Sequence, residues 1–97
     1  MYGTVARMRA KPGVEAQLAD QMRAFEQAHV PGSVVTYVYR MDADPNEYYL
    51  AVVFTDKAAY VANANSPEQD ARYRQLLALL EGPPEWHDGE IVSGQGG

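Results

Sequence analysis

The chain has 97 residues, 46% hydrophobic and 22% charged, with no Cys. That is enough for one hydrophobic core and too little for two, and it excludes a disordered chain, a disulfide scaffold, a thiolate zinc site and a Cys nucleophile. The net charge of -5, from 8 Lys and Arg against 13 Asp and Glu, argues against a basic stripe for nucleic acid.

The N-terminal stretch MYGTVARMRA has no apolar signal-like segment, and no apolar run approaches the ~18 residues of a membrane helix. The expectation is a cytoplasmic protein with no membrane partner. From Tyr2 to Ala10 residues alternate, with Tyr2, Thr4, Ala6 and Met8 on one face and Gly3, Val5, Arg7 and Arg9 on the other. That is a strand pattern, broken at Lys11-Pro12-Gly13. Val14, Leu18, Met22, Phe25 and His29 then form one helical stripe, which Pro31-Gly32 stops. Val34 to Met41 and Tyr48 to Phe54 are rich in β-branched and aromatic residues and flank an Asp42-to-Asn46 turn, which predicts a hairpin. Thr55 is the expected cap of a helix reaching about Asn65. Ser66-Pro67-Glu68-Gln69 carries the signature of a second helix start, with Ser as cap, Pro at the first position and Gln three residues on. Tyr73, Leu76, Leu77 and Leu80 supply its stripe before Gly82-Pro83-Pro84, and Trp86 to Val92 is the last strand. Residues 1–93 form the expected domain, and the Gly-rich end, 94–97, the expected disordered tail.

The order βαββαβ predicts an α+β, ferredoxin-like fold: a four-stranded antiparallel sheet with its helices on one face. In the hairpin strands both faces are apolar or aromatic. Val35, Tyr37, Tyr39 and Met41 oppose Val34 and Val38, and Tyr49, Ala51 and Val53 oppose Tyr48, Leu50, Val52 and Phe54. Helices cover one face, so a second copy is expected on the other, giving an isologous homodimer.

The run PGSVVTYVYRMDADPNEYYLAVVF, followed by TDKAAYVANANSPEQDARYRQLLALL, resembles the antibiotic biosynthesis monooxygenase (ABM) domain family. The shared pattern is a Pro-Gly before strand two, an acidic Asp-Pro-Asn hairpin, an aromatic ending strand three, and a helix leading into Ser-Pro and a Leu-rich second half. The resemblance spans roughly Tyr2 to Val92 and implies a dimeric α+β barrel with a small-molecule pocket between helices and sheet. Family members include cofactor-free monooxygenases of aromatic polyketides, haem-degrading enzymes, isomerase-like enzymes and proteins of unknown role. The haem-degrading branch carries an Asn, a Trp and a haem-ligating His at positions that fall on Ala6, Asn63 and Tyr73 here, and none matches.

The expected reaction is therefore a cofactor-independent oxygenation of a small aromatic or quinone-like substrate. The alternatives are a non-catalytic dimeric ligand-binding or stress-related module, or an isomerase on a small carbonyl compound. Asn63 stands where many members carry a pocket His; its amide can bond a carbonyl or enolate but is no base near neutral pH. Tyr73 and His29 complete the expected catalytic set, His29 because an imidazole can shuttle protons. Tyr60, Tyr39, Arg40 and Trp86 are the expected substrate-binding residues, by stacking, phenol hydrogen bonds and, for Arg40, pairing with an oxyanion. For each of these the alternative is packing, and for Arg7, Arg9 and Arg40 it is ion pairing with Glu47, Glu90 or Asp42. Neighbours His87 and Asp88 should face opposite sides of the last strand. No nucleotide fingerprint, metal-ligand spacing or nucleophile elbow is present in the sequence, so no cofactor or metal is expected.

Overall fold

The computed structural model describes residues 1–94; the expected tail residues Gln95–Gly97 lie outside them. The elements run β1 (Tyr2–Arg9), α1 (Glu15–Gln27), β2 (Ser33–Arg40), β3 (Glu47–Phe54), α2 (Lys57–Ala64), α3 (Pro67–Leu77) and β4 (Glu85–Glu90). The four strands form one antiparallel sheet in the order β2-β3-β1-β4, the ferredoxin-like α+β arrangement.

The register decides which side chains share a face. Tyr2, Thr4, Ala6 and Met8 of β1 stand opposite Phe54, Val52, Leu50 and Tyr48 of β3, and Thr4 and Ala6 also pair with Asp88 and Trp86 of β4. This is the helix-covered face. The core gathers at one end of it, where Ala6, Met8, Ala10, Tyr48 and Leu50 pack with Leu18 of α1 and Leu80. An Ala10–Leu80 bridge and the Lys11 N–H to Leu79 C=O bond (2.9 Å) tie the end of the α3 segment to β1. Apolar burial of this kind contributes roughly 1.5–3 kcal/mol for each large side chain.

The helix ends show what local chemistry decides. Ser66 Oγ accepts from the Gln69 N–H at 3.1 Å with Pro67 in the first turn, as its sequence signature predicts. The start of α2 is displaced by one residue: Asp56, not Thr55, accepts the Ala59 N–H at 2.8 Å. A carboxylate is the stronger cap because it also meets the positive end of the helix dipole. The first helix ends at Gln27, before the expected stop, and His29 takes a left-handed conformation (φ 48°) just beyond it. It closes the helix where Gly is usual and does not extend the stripe. Gly32 (φ 80°) does require glycine, because a Cβ there would meet the Ala59 methyl at 2.5 Å; its absence lets α2 settle against the start of β2. The last strand spans Glu85–Glu90 rather than Trp86 to Val92, because its partner β1 begins at Tyr2, opposite Glu90.

The other face of the sheet has no helix on it. Val5, Tyr37 and Tyr39 there are 53%, 57% and 55% exposed. Arg7 and Arg9 project from the same face and lie in ion pairs, Arg7 with Glu47 (2.9 Å) and Arg9 with Asp44 (2.5 Å) and Glu81 (3.0 Å). Among the described residues, Glu47 is the one partner expected from the sequence that is used. Among the described residues no helix is long and apolar enough to cross a membrane.

Candidate functional site

Away from the core, towards Thr4, Val52 and Phe54, helices and sheet separate around a cavity of about 410 Å3. That size falls in the range of small-molecule sites. The sheet supplies a floor of Thr4, Thr36, Leu50, Val52 and Phe54, with Trp86 and Asp88 of β4 at one side. Met22 and Phe25 of α1 form one wall, Tyr60 and Asn63 of α2 another, and Arg72, Tyr73 and Leu76 of α3 the third. The strand period of two brings Trp86 and Asp88 to this face and sends His87 to the other, where it meets Glu85 at 2.8 Å.

Tyr60 is the best-defined group in the site. Its ring meets Phe54 and Tyr2 edge-on, with centroids 5.5 and 5.3 Å apart, and its hydroxyl donates to Asp88 Oδ1 at 2.8 Å. Burial pushes the phenol up, and the hydrogen bond to the Asp88 carboxylate adds to it, to about 12. Tyr60 is thus a neutral donor at physiological pH and not a tyrosinate base. The Thr4 hydroxyl draws the phenol slightly the other way, yet stands outside hydrogen-bonding geometry. Among the described residues neither Thr4 Oγ1 nor Thr36 Oγ1 has a hydrogen-bond partner. Both oxygens are shielded on the cavity floor. Tyr73 and Trp86 face each other with centroids 6.1 Å apart and planes tilted by 53°. They form an aromatic wall on the β4 side.

The structure brings together four of the residues singled out from the sequence: Tyr60, Asn63, Tyr73 and Trp86 all line this cavity. Three are placed elsewhere. Tyr39 pairs with Tyr49 and points to the open sheet face. Arg40 lines a second hollow of about 370 Å3 with Glu15, Leu18, Ala19 and Tyr48, separated from the first by the shared Met22. His29 is exposed beyond the end of α1 and lines neither. Sequence reasoning missed Thr4, Asp88 and Arg72. The alternation of β1 and β4 offered a signal for the first two, once Thr4 is known to pair with Asp88. Among the described residues no group of three or more His, Asp or Glu could hold a metal ion.

A ferredoxin-like sheet with an aromatic cavity under its helices defines a class of small α+β proteins, and the comparisons narrow it. The family profile of antibiotic biosynthesis monooxygenase matches residues 1–75. The chain belongs to the antibiotic biosynthesis monooxygenase family. No curated protein matches it. Among solved structures it is similar to SnoaB, a cofactor-independent oxygenase from Streptomyces nogalater in its N63A mutant form, with TM-score 0.83, 21% identity, and coverage of 96% of this chain and 94% of that one. It is also similar to a Chloroflexus aurantiacus protein carrying the family's description (TM-score 0.80, 23% identity, 98% and 96% covered) and to NE2512, a protein of unknown function from Nitrosomonas europaea (TM-score 0.77, 24% identity, 97% and 91% covered). At these identities the likeness is one of fold.

Proposed function

We propose that the chain is a monooxygenase that needs no cofactor and acts on a small, flat aromatic substrate of the hydroquinone type, bound in the 410 Å3 cavity. The observation that supports this reading is the lining of that cavity: Phe25, Phe54, Tyr73, Trp86 and aliphatic side chains, with polar groups set among them, Asn63 and Tyr60 on one helix. In the reaction a hydroquinone becomes a hydroxyquinone. One oxygen atom of O2 enters a ring carbon in place of hydrogen, the other leaves as water, and the ring itself supplies all the electrons. The protein's part is to hold the ring against Tyr73 and Trp86, exclude water, and stabilise the phenolate that reacts with O2. Among the lining groups the Asn63 amide can supply that donor. The likeness to a cofactor-independent oxygenase agrees with this reading.

Oxygen uptake with a panel of hydroquinones tests it. Substrate-dependent uptake is expected, reduced about a hundredfold by Asn63→Ala, the typical loss of one oxyanion donor, and more modestly by Tyr73→Phe. Ligand binding with no uptake would remove the enzyme claim. A specific observation keeps that second reading, a ligand-binding module, in view: neither His29 nor His87 reaches the cavity, and Tyr60 holds its proton up to about 12.

The bare, aromatic face of the sheet supports a homodimer closed through Val5, Tyr37 and Tyr39. Light scattering should give twice the chain mass. Tyr37→Glu should give monomers, and a monomeric wild type at micromolar concentration would overturn this part of the reading.

A further inference from the structure

Arg72 is the one cation among the residues lining the cavity, and no described residue forms an ion pair with it. Arg7, Arg9, Arg23 and Arg74 each hold a carboxylate. Arg72 is half-buried in the wall of the cavity and, among the described residues, lies in no ion pair, in a chain where acids outnumber bases. The two carboxylates lining the same cavity are already engaged, Asp70 by Arg74 at 3.0 Å and Asp88 by the Tyr60 hydroxyl. Arg72 is also held in place. Its Nε donates to Gln69 Oε1 at 3.2 Å, and its Cζ lies 5.8 Å from the centre of the Phe25 ring. Both contacts use the inner edge and the face of the guanidinium, so the two Nη atoms form the edge left over. Desolvating a guanidinium without an anion is costly, and its planar pair of N–H groups matches a carboxylate in bidentate fashion.

From this arrangement we propose that Arg72 is the anion-recognition residue of the cavity, and that the substrate is a flat aromatic compound bearing a carboxylate. The inference rests on the cavity being the substrate site. The charge layout also sets the direction of binding. Asp88, on the edge strand β4, repels an anion, whereas Arg72 lies against α1. The carboxylate end therefore points towards Phe25 and Arg72. The hydroxyl-bearing ring points the other way, with a hydroxyl that keeps its proton donating to Asp88 and the phenolate oxygen on the Asn63 side.

The test uses dihydroxynaphthoate, a hydroquinone with a carboxylate, and its neutral carboxamide. Binding is read without oxygen by quenching of Trp86, the chain's single Trp, which stands in the cavity wall. Wild type should bind the carboxylate about tenfold to a hundredfold more tightly than the amide, the range for a charge-assisted bidentate pair. Arg72→Gln should erase that preference by weakening the carboxylate far more than the amide, and an unchanged thermal midpoint shows that the variant is folded. Arg72→Lys, which keeps the charge and loses the fork, should fall between. Equal affinity of wild type for the two ligands would overturn the proposal, as would equal weakening of both in Arg72→Gln. Oxygen uptake is measured in parallel and separates the two readings. A carboxylate preference without uptake leaves Arg72's role standing and removes the oxygenase. Uptake with carboxylate and amide alike does the reverse. Failure of both ligands to bind removes the cavity as the substrate site, and the role of Arg72 with it.

Discussion

Thr4→Val should make the protein more stable, against the usual direction of core substitutions. Thr4 is only 5% exposed, its side chain lies on the cavity floor between Val52 and Asp88, and its hydroxyl oxygen is shielded with no partner among the described residues. A buried hydroxyl without a hydrogen bond costs roughly 1–3 kcal/mol on mutational scales. Valine has the same shape, replaces the hydroxyl by a methyl, and suits a strand at least as well. Taking the lower end, because Thr4 lies beside a cavity and not in the packed core, the gain is about 1 kcal/mol. For a chain of this size that raises the thermal midpoint by about 4–8 °C. Urea unfolding near neutral pH gives the free energy directly, and the slope should be unchanged, since no surface is newly exposed. The competing possibility is that Thr4 donates to the Tyr60 phenol oxygen. In that case the substitution would destabilise by about 1 kcal/mol and push the Tyr60 phenol higher still. Loss of stability together with that upward movement would refute the reasoning.

Tyr60→Phe should remove a component near pH 12 from the absorbance titration of tyrosinate. Because its phenol is raised from 10.0 to about 12, the protonated form favours the native state. Its contribution is complete below about pH 10, is lost as pH rises through about 12, and should be missing from the alkaline limb of the variant's stability curve. A titration still containing a late component in Tyr60→Phe would contradict this. Asp44 has the opposite sign. The Asn46 N–H and then the Arg9 guanidinium hold its carboxyl below the ordinary 3.8. Its contribution is present above that value and lost as pH falls through the lowered one, so thermal midpoints of Asp44→Asn should fall less steeply in acid than those of wild type. Phe54, 1% exposed beneath Tyr60, should cost about 3–5 kcal/mol when truncated to Ala, and urea unfolding should show it. A loss under 1 kcal/mol would mean that the neighbouring cavity absorbs the gap.

The parts of the fold legible in the sequence are those set by neighbours in the chain. Period-two alternation placed Thr4, Ala6 and Met8 on the helix-covered face, and the Ser66-Pro67-Gln69 signature located the start of α3, because each depends on residues a few positions apart. Thr55 and Asp56 are both capping residues in adjacent positions, and composition alone does not say which of them takes the cap. The left-handed turn at His29 was hidden because the helical spacing fits that residue equally well as a continuing stripe. The site was legible at Tyr60, Tyr73 and Trp86 as aromatics on elements facing the core, and at Asn63 through the resemblance. Asp88 and Thr4 meet across a strand pair, and Arg72 owes its interest to what fails to pair with it. Both are properties of residues distant in sequence.

Met22 has a bearing on how large a molecule the fold can accept. It is the wall shared by the aromatic cavity and the second hollow, which ends at Arg40. That wall is an unbranched thioether, among the most pliable side chains a protein can use as a partition. A smaller residue at this one position would join the chambers into a slot running beneath α1, with the sheet and its hydrogen bonds untouched. Substrate length in this scaffold is therefore open to change through a single side chain.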